Sequence, residues 1–146
     1  MMNLTKHYTI IPFDFDKAGS MSSDVKRTLK DKGLSFDFIK RVSVAAYEAE
    51  INIVIHSLGG YADFKVLDDI VYLQFIDIGP GIQNLELAMT PGFSTANDES
   101  RLNGFGAGMG LINIKNSADE MSLLSDPNGT VLKLKFYIRE ELPHVD

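Results

Sequence analysis

Residues 43–57, SVAAYEAEINIVIHS, carry the pattern on which the predicted fold depends. Glu48, Asn52 and His56 recur every four residues in this otherwise apolar run, so a helix would align them in one polar stripe. The stretch therefore predicts a core-packed helix that also aligns a carboxylate with a carboxamide. A solvated helix face is the alternative explanation of the polar stripe. An apolar seam on another side of the helix would consist of Val44, Tyr47, Ile51, Ile55 and Leu58.

The composition is that of an acidic, cysteine-free globular chain. With 146 residues, 45% of them hydrophobic, we expect a single domain over residues 1–146 with its own core. The lack of cysteine excludes a disulfide framework and a thiolate metal site. The net charge is -6 and no basic stripe with interleaved aromatic residues occurs, so we expect no nucleic-acid partner. Neither a signal-peptide pattern nor an apolar run of about 20 residues occurs, so we expect a cytoplasmic protein without membrane contact.

Strand and helix signals alternate along the chain. His7–Phe15 is rich in β-branched and aromatic residues, and Pro12 in its later half favours a strand at the edge of a sheet. Ser35 is expected to cap the central helix, which ends before Gly59. The other predicted elements are a helix over Asp24–Lys32, a hairpin of Tyr61–Leu67 and Ile70–Ile76, a helix over Met109–Ser117, and a hairpin of Glu120–Ser125 and Thr130–Ile138.

The segment Asp77-Ile78-Gly79-Pro80-Gly81 follows a predicted buried strand, which places its carboxylate at a strand end. The two glycines let the backbone approach a flat ligand closely, and the carboxylate could accept a hydrogen bond from an exocyclic amine. A turn aspartate without a ligand is the alternative. From Gly79 to Asn103 no sustained periodicity occurs, which predicts a long functional lid with at most one short helix around Leu85–Met89.

A glycine-dense loop, Gly104–Gly110 (GFGAGMG), leads into the helix predicted over Met109–Ser117. Glycines let successive N–H groups converge, and a helix N-terminus attracts anions, so the loop suits a polyphosphate. It is not a P-loop, because no Gly-Lys-Ser/Thr follows. It is not a dinucleotide fingerprint either, because no strand runs directly into it.

In this order and spacing, the motifs resemble those of the Bergerat-fold (GHKL) ATPases, the superfamily of gyrase, heat-shock chaperone ATPases, histidine kinases and mismatch-repair ATPases. Within it, the chain is most similar to the small anti-sigma-factor serine/threonine kinases of bacterial sporulation and stress signalling, over about residues 25–136. The resemblance is carried by Glu48-Ala49-x2-Asn52 with His56, by Asp77-x-Gly79-x-Gly81-Ile82, by Pro91–Thr95, by Gly104–Gly110 and by Gly129-Thr130.

The resemblance implies an α/β (α+β) two-layer sandwich, in which a mixed, mainly antiparallel sheet carries helices on one face. ATP would bind between the Glu48 helix, the lid and the sheet. Asn52 would hold Mg²⁺, and Glu48 would be the base that takes a proton from a Ser or Thr hydroxyl or from water. Asp77 would accept the adenine amino group with help from Thr130, and Arg101 would approach the terminal phosphate or the acceptor protein. The glycines implied in cofactor binding are Gly79 and Gly81 beside adenine, and Gly104, Gly106, Gly108 and Gly110 around the phosphates.

The implied activity is that of a regulatory kinase that phosphorylates a Ser or Thr of an anti-anti-sigma-type protein and also binds a sigma factor. Family analogy implies a homodimer, for which the edge strand His7–Phe15 is the expected interface. Two alternatives stay open: a module in which ATP orders the lid without turnover, and a detached histidine-kinase catalytic domain. Glu48 beside Asn52 favours the kinase, since a pure sensor needs the metal ligand but not the base. Glu50 is expected to point away from Glu48, and His56 to be a structural histidine.

Overall fold

The computed structural model of the chain describes residues 3–79 and 110–139. In these two ranges, five strands form one antiparallel sheet in the order β1-β2-β3-β5-β4, accompanied by three helices. The predicted α+β architecture with a mainly antiparallel sheet is therefore confirmed. The elements are β1 (Leu4–Ile10), α1 (Ser20–Asp31), α2 (Phe36–His56), β2 (Gly60–Leu67), β3 (Ile70–Ile78), α3 (Gly110–Ser117), β4 (Glu120–Asp126) and β5 (Gly129–Tyr137).

The helices cover one face of this sheet. Because side chains alternate along a strand, every second residue of β2, β3 and β5 points to the same side. That side is apolar and packs in one core with buried residues of all three helices. Its buried residues are Ala62, Phe64, Val66, Val71, Leu73, Phe75, Leu132, Leu134 and Phe136. The opposite face carries a groove of about 510 Å³ lined largely by polar side chains, including Lys65, Gln74 and Lys133.

Local hydrogen bonds define both ends of α2. Ser35 caps its start as predicted, since the Ser35 hydroxyl accepts a hydrogen bond from the N–H of Phe38 at 3.2 Å. At the other end, the Ser57 hydroxyl donates to the carbonyl of Ile53 at 2.7 Å. The chain then leaves the helix through Gly59, whose φ of 109° lies in the left-handed region that favours glycine.

The side of α2 that faces the sheet is not the predicted apolar seam. Ile51 and Ile55 are buried, but they pack in a separate small cluster with Phe15 and Ala18. Helix α2 is apolar on two sides, and periodicity reveals such stripes without showing which of them meets the sheet. The exposed members of the seam are Val44 (36%), Tyr47 (38%) and Leu58 (69%). The residues of α2 that join the main core include Phe38, Val42, Ala45, Ala49 and Ile53.

Strand β1 lies at one edge of the described sheet, as predicted, but it ends at Ile10 rather than at Phe15. Pro12 has no N–H to donate, and Phe13 takes a left-handed conformation with φ of 59°. The N–H of Phe13 instead donates to the carbonyl of Val54 at 2.8 Å, near the end of α2. The β-branched and aromatic content of this stretch therefore overstated the length of the strand.

Helix α1 begins at Ser20, earlier than the predicted start at Asp24, because a distant side chain caps it. Its N-cap residue is Gly19, which has no side chain to offer. Glu50 of α2, only 4% exposed, accepts hydrogen bonds from the N–H groups of Gly19, Met21 and Ser22 at 3.1, 3.2 and 3.1 Å. A carboxylate at a helix N-terminus satisfies N–H groups that have no partner within the helix. Glu50 thus has a structural contact of its own, consistent with its expected direction away from Glu48.

Candidate functional site

The start of α3 lies directly against the polar stripe of α2. A Cβ atom built on Gly110 would lie 3.1 Å from Nδ2 and 3.2 Å from Oδ1 of Asn52, and 3.4 Å from Oε2 of Glu48. Both side chains are only partly exposed. The structure therefore brings together three residues that the sequence assigned to one site, and it excludes a fully solvated face for the Glu48–Asn52 stripe.

A fourth residue of this group, Asn113, was not predicted. Its Nδ2 donates a hydrogen bond to Oε1 of Glu48 at 3.4 Å. Asn113 follows Gly110 by three residues on α3, so the two positions share one helix face. That spacing from the last glycine of the loop is the signal in the sequence that could have identified it.

Helix α3 runs antiparallel to α2. Its first residue, Gly110, lies at Asn52, and its last residue, Ser117, accepts a hydrogen bond from Arg41 through its backbone carbonyl at 3.3 Å. Arg41 also pairs with Asp119, just beyond the helix, at 3.4 Å. The far end of α3 is thus anchored independently of the Glu48 end.

Asp77 lies at the end of the buried sheet face. It continues the alternation of Val71, Leu73 and Phe75, so its side chain belongs to the side that the helices cover. Its Oδ1 accepts a hydrogen bond from the N–H of Thr130, the residue opposite it on β5, at 3.0 Å. Burial raises the pKa of Asp77, and this hydrogen bond partly opposes the rise. Among the residues that the structure describes, Oδ2 of Asp77 has no hydrogen-bond partner and can accept one from a ligand.

Polar and small residues replace apolar ones in the last cross-strand row of this face. Thr130 lies between Asp77 and Ser125, and the two hydroxyl groups of Ser125 and Thr130 are 3.0 Å apart. On the other side of Asp77 is Gly60, where a Cβ would come within 2.2 Å of the Ile76 carbonyl oxygen. The sequence predicted Asp77 and Thr130 here, but neither Gly60 nor Ser125. The register of the hairpin around residues 126–129 would have paired Ser125 with Thr130.

The end of β3 and the end of α2 are joined by backbone hydrogen bonds. The N–H of Leu58 donates to the carbonyl of Ile78 at 2.7 Å, and the N–H of Ile78 donates to the carbonyl of Gly59 at 2.9 Å. Gly79 packs here too, since a Cβ on it would lie 3.4 Å from Cα of Ser57. Ser57 is about 7.5 Å further along α2 than Asn52, at 1.5 Å per residue. Asn52 and Asp77 therefore belong to the same end of the molecule.

Comparison with known proteins identifies the family. No family model matches the sequence. The anti-sigma F factor of Caldanaerobacter subterraneus subsp. tengcongensis is 33% identical over 106 residues, which cover 68% of this chain and 71% of that protein. The anti-sigma F factor of Geobacillus sp. (strain WCH70) is 32% identical over 111 residues, 71% of this chain and 73% of that protein. That of Bacillus subtilis (strain 168) is 31% identical over 107 residues, 68% and 70%. This chain belongs to the anti-sigma F factor family. The resemblance to anti-sigma-factor kinases of the Bergerat-fold group is thereby confirmed.

The described residues of this anti-sigma F factor family member fit the implied ligands in their donor chemistry. Asn52 offers a neutral amide oxygen, which suits a hard cation that keeps several of its waters. Gly110 has no side chain, and even a methyl group there would crowd the amide of Asn52. At the other end, Asp77 offers an acceptor oxygen at a partly buried position beside two hydroxyl groups.

Several predicted site residues lie outside the described residues of this family member. They are Gly81, Arg101, Gly104, Gly106 and Gly108, together with the predicted lid beyond Gly79. Their roles, and those predicted for Glu48, Asn52, Asp77, Gly79, Gly110 and Thr130, stay predictions.

His56, the last residue of α2, is largely enclosed by the protein. Burial lowers its pKa, so the imidazole is neutral at pH 7.

Within residues 3–79 and 110–139, no helix combines the length and the apolar character that crossing a membrane requires.

Proposed function

We propose that this chain is an ATP-dependent serine/threonine protein kinase of the anti-sigma-factor type, acting in the cytoplasm. It would restrain a sigma factor and phosphorylate a Ser or Thr of an anti-anti-sigma-type protein. The observation that carries the proposal is the placement of Glu48 and Asn52 around Gly110, the first residue of α3 and the last glycine of the glycine-dense segment. The family relatives are named anti-sigma F factors, which supports the sigma-factor partner.

In this proposal the nucleotide is oriented by residues at one end of the molecule. Asp77 accepts a hydrogen bond from the adenine amino group through Oδ2, while its Oδ1 stays on the N–H of Thr130. The hydroxyl groups of Thr130 and Ser125 line the same row of the sheet. Guanine presents a carbonyl where adenine presents an amine, so Asp77 should favour ATP over GTP.

Asn52 and Glu48 have different roles at the phosphate end of the proposed site, one as metal ligand and one as base. Asn52 would hold Mg²⁺ through Oδ1, and the ion would neutralise negative charge on the phosphates of the nucleotide. Glu48 would remove the proton from the acceptor hydroxyl as the hydroxyl oxygen forms its bond to the terminal phosphorus. The bond from that phosphorus to the bridging oxygen breaks at the same time, and ADP leaves. Asn52 is one helical turn away from Glu48 on the same stripe, so both side chains can reach the same phosphate group.

The replacement Glu48→Gln tests the kinase assignment. It keeps the shape of the side chain and removes the proton acceptor, so phosphate transfer should fall by about 10²- to 10⁴-fold. Affinity for ATP with Mg²⁺ should stay within about threefold, since the metal ligand and the adenine contacts are intact. The assay follows transfer of the labelled terminal phosphate from ATP to a purified anti-anti-sigma protein of the source organism.

Four outcomes of this experiment separate the possible functions. An acid-stable phosphoester made by the native chain and lost in Glu48→Gln supports the kinase. Equal phosphorylation by the variant refutes Glu48 as the base. An acid-labile phosphohistidine on the partner identifies a histidine-kinase domain instead, and tight ATP binding without transfer identifies a binding module.

A homodimer through the edge strand β1 is part of the proposal. On the side of β1 away from β2, no strand of the described sheet pairs with it, and an unpaired edge invites association. Replacement of the outward-facing Thr9 by proline removes one edge N–H and should shift the mass measured by light scattering from dimer to monomer. A monomeric native chain at micromolar concentration would overturn this part of the proposal alone.

A further inference from the structure

Asn113 contacts the proposed base but has no role in the function described so far. We infer that Asn113 is a positioning residue, which holds the carboxylate of Glu48 in the orientation needed for proton removal. This inference rests on the proposed kinase function. It concerns a contact between α3 and α2 that the motifs carrying the family resemblance do not include.

The contact distinguishes the two oxygens of the Glu48 carboxylate. Oε1 accepts the hydrogen bond from Nδ2 of Asn113 at 3.4 Å. Oε2 lies on the side of Gly110, 3.4 Å from the point where a Cβ on that residue would be. Gly110 itself carries no side chain that would cover Oε2. Oε2 is therefore the oxygen available to an acceptor hydroxyl.

A carboxylate needs such a contact because its last torsion angle has only weak intrinsic preferences. Rotation about the bond to the carboxyl group of Glu is broad, so packing of the aliphatic part alone does not set the plane of the oxygens. An amide donor on one oxygen sets that plane without bringing a charge or a competing titratable group. General-base catalysis depends on placement within hydrogen-bond reach of the proton, so loss of the donor should reduce turnover more than binding.

Helix α3 is anchored by contacts other than the hydrogen bond from Asn113 to Glu48, so that bond can be removed without displacing the helix. The far end of α3 is held by the bonds from Arg41 to Ser117 and Asp119. Ile114, next to Asn113, is fully buried in the main core. These contacts should keep α3 in place when only the amide of Asn113 is replaced.

The experiment replaces Asn113 by Leu, which has similar size and no donor, and by Asp, which also adds a like charge beside Glu48. Matched controls are Asn116→Leu and Asn116→Asp, at an exposed position of the same helix. For both Asn113 variants, kcat for phosphate transfer should fall by about tenfold or more, with ATP affinity within about threefold. The Asn116 variants should transfer phosphate at the native rate. Asn113→Gln, which retains an amide donor, should recover part of the lost rate.

A double-mutant cycle with Glu48→Gln separates positioning from a general structural effect. If Asn113 acts through Glu48, Asn113→Leu should not lower the residual transfer rate of the Glu48→Gln chain any further. An equal loss in both backgrounds would overturn the inference, as would native kcat in both Asn113 variants. Urea denaturation of each variant shows whether it is folded, and partial recovery in Asn113→Gln supports the inference even if Asn113→Asp unfolds. If Glu48→Gln itself transfers phosphate normally, the proposed function fails. If Glu48→Gln loses phosphate transfer while the Asn113 variants keep the native rate, only the positioning role of Asn113 is rejected.

Discussion

Replacement of Glu50 by glutamine should destabilise the fold without affecting the proposed chemistry. Glu50 is two residues from Glu48 on α2, yet it is 4% exposed and its carboxylate caps the start of α1. Oε2 accepts from Gly19 and Met21, and Oε1 accepts from Ser22. Glutamine has the same shape, but one of its two terminal groups is a donor and neither carries a charge.

The size of the expected loss in stability follows from the hydrogen bonds that glutamine cannot make at this position. If its carbonyl oxygen takes the place of Oε2, two bonds persist as neutral ones, and its NH₂ group then meets the N–H of Ser22. A buried donor left without an acceptor costs about 1–3 kcal/mol, and loss of charge assistance in the remaining bonds adds to that. We therefore expect the free energy of unfolding to fall by about 3 kcal/mol, or the melting temperature to fall by about 6–12 °C.

Urea denaturation followed by circular dichroism measures this change, and Glu48→Gln is the matched control. Both variants lose one carboxylate from the same helix, but Glu48 is only partly buried and accepts one long bond from Asn113. Glu48→Gln should stay within about 1 kcal/mol of the native stability. A Glu50→Gln chain as stable as the native one would show that the carboxylate does not hold α1, and would refute the reasoning.

The remaining predictions concern the two ends of the candidate site. Gly110→Ala should weaken binding of ATP with Mg²⁺ by about tenfold in a calorimetric titration, since the new methyl group crowds the amide of Asn52 and lies in contact with Glu48. Unchanged affinity would show that these side chains do not line the site. Asp77→Asn should weaken ATP binding by about tenfold or more. Asp77→Asn should also raise the urea midpoint at pH 7. Burial raises the pKa of Asp77, so the protonated carboxyl group stabilises the native state relative to the unfolded chain below the ordinary aspartate pKa. That stability is lost as pH rises and the buried carboxyl group ionises, whereas Asn stays neutral. This gain should vanish at about pH 2 to 3, where the carboxyl group is protonated in both the folded and the unfolded state. A gain that persists there would contradict the assignment.

Much of the secondary structure was predictable because its signals are local. Ser35 caps α2 as expected, and the hairpin around Asp68-Asp69 connects the predicted strands. The start of α1 was not predictable in this way, because Glu50 caps it from another helix. The end of β1 was misplaced because its residue types favour a strand, whereas Phe13 bonds to α2.

In the candidate site, too, features set by local sequence were predictable and features set by packing were not. The spacing of Glu48 and Asn52 and the strand-end position of Asp77 follow from helical and strand geometry, so they could be derived from residue order. The direction of the apolar seam could not, because α2 has two apolar sides and only contact with the sheet selects between them.

The sequence by itself determined the helix that aligns the carboxylate with the amide, the strands of the two hairpins, the glycine-dense segment before α3 and the family resemblance. Each of these depends on residues close together in the chain, where the repeat of a helix or strand sets the geometry. Only the tertiary structure decided that Gly110 lies over Asn52, that Asn113 bonds to Glu48 and that the hairpin pair of Ser125 and Thr130 lies beside Asp77. Those contacts depend on how whole elements pack and on strand register, which chain order does not reveal.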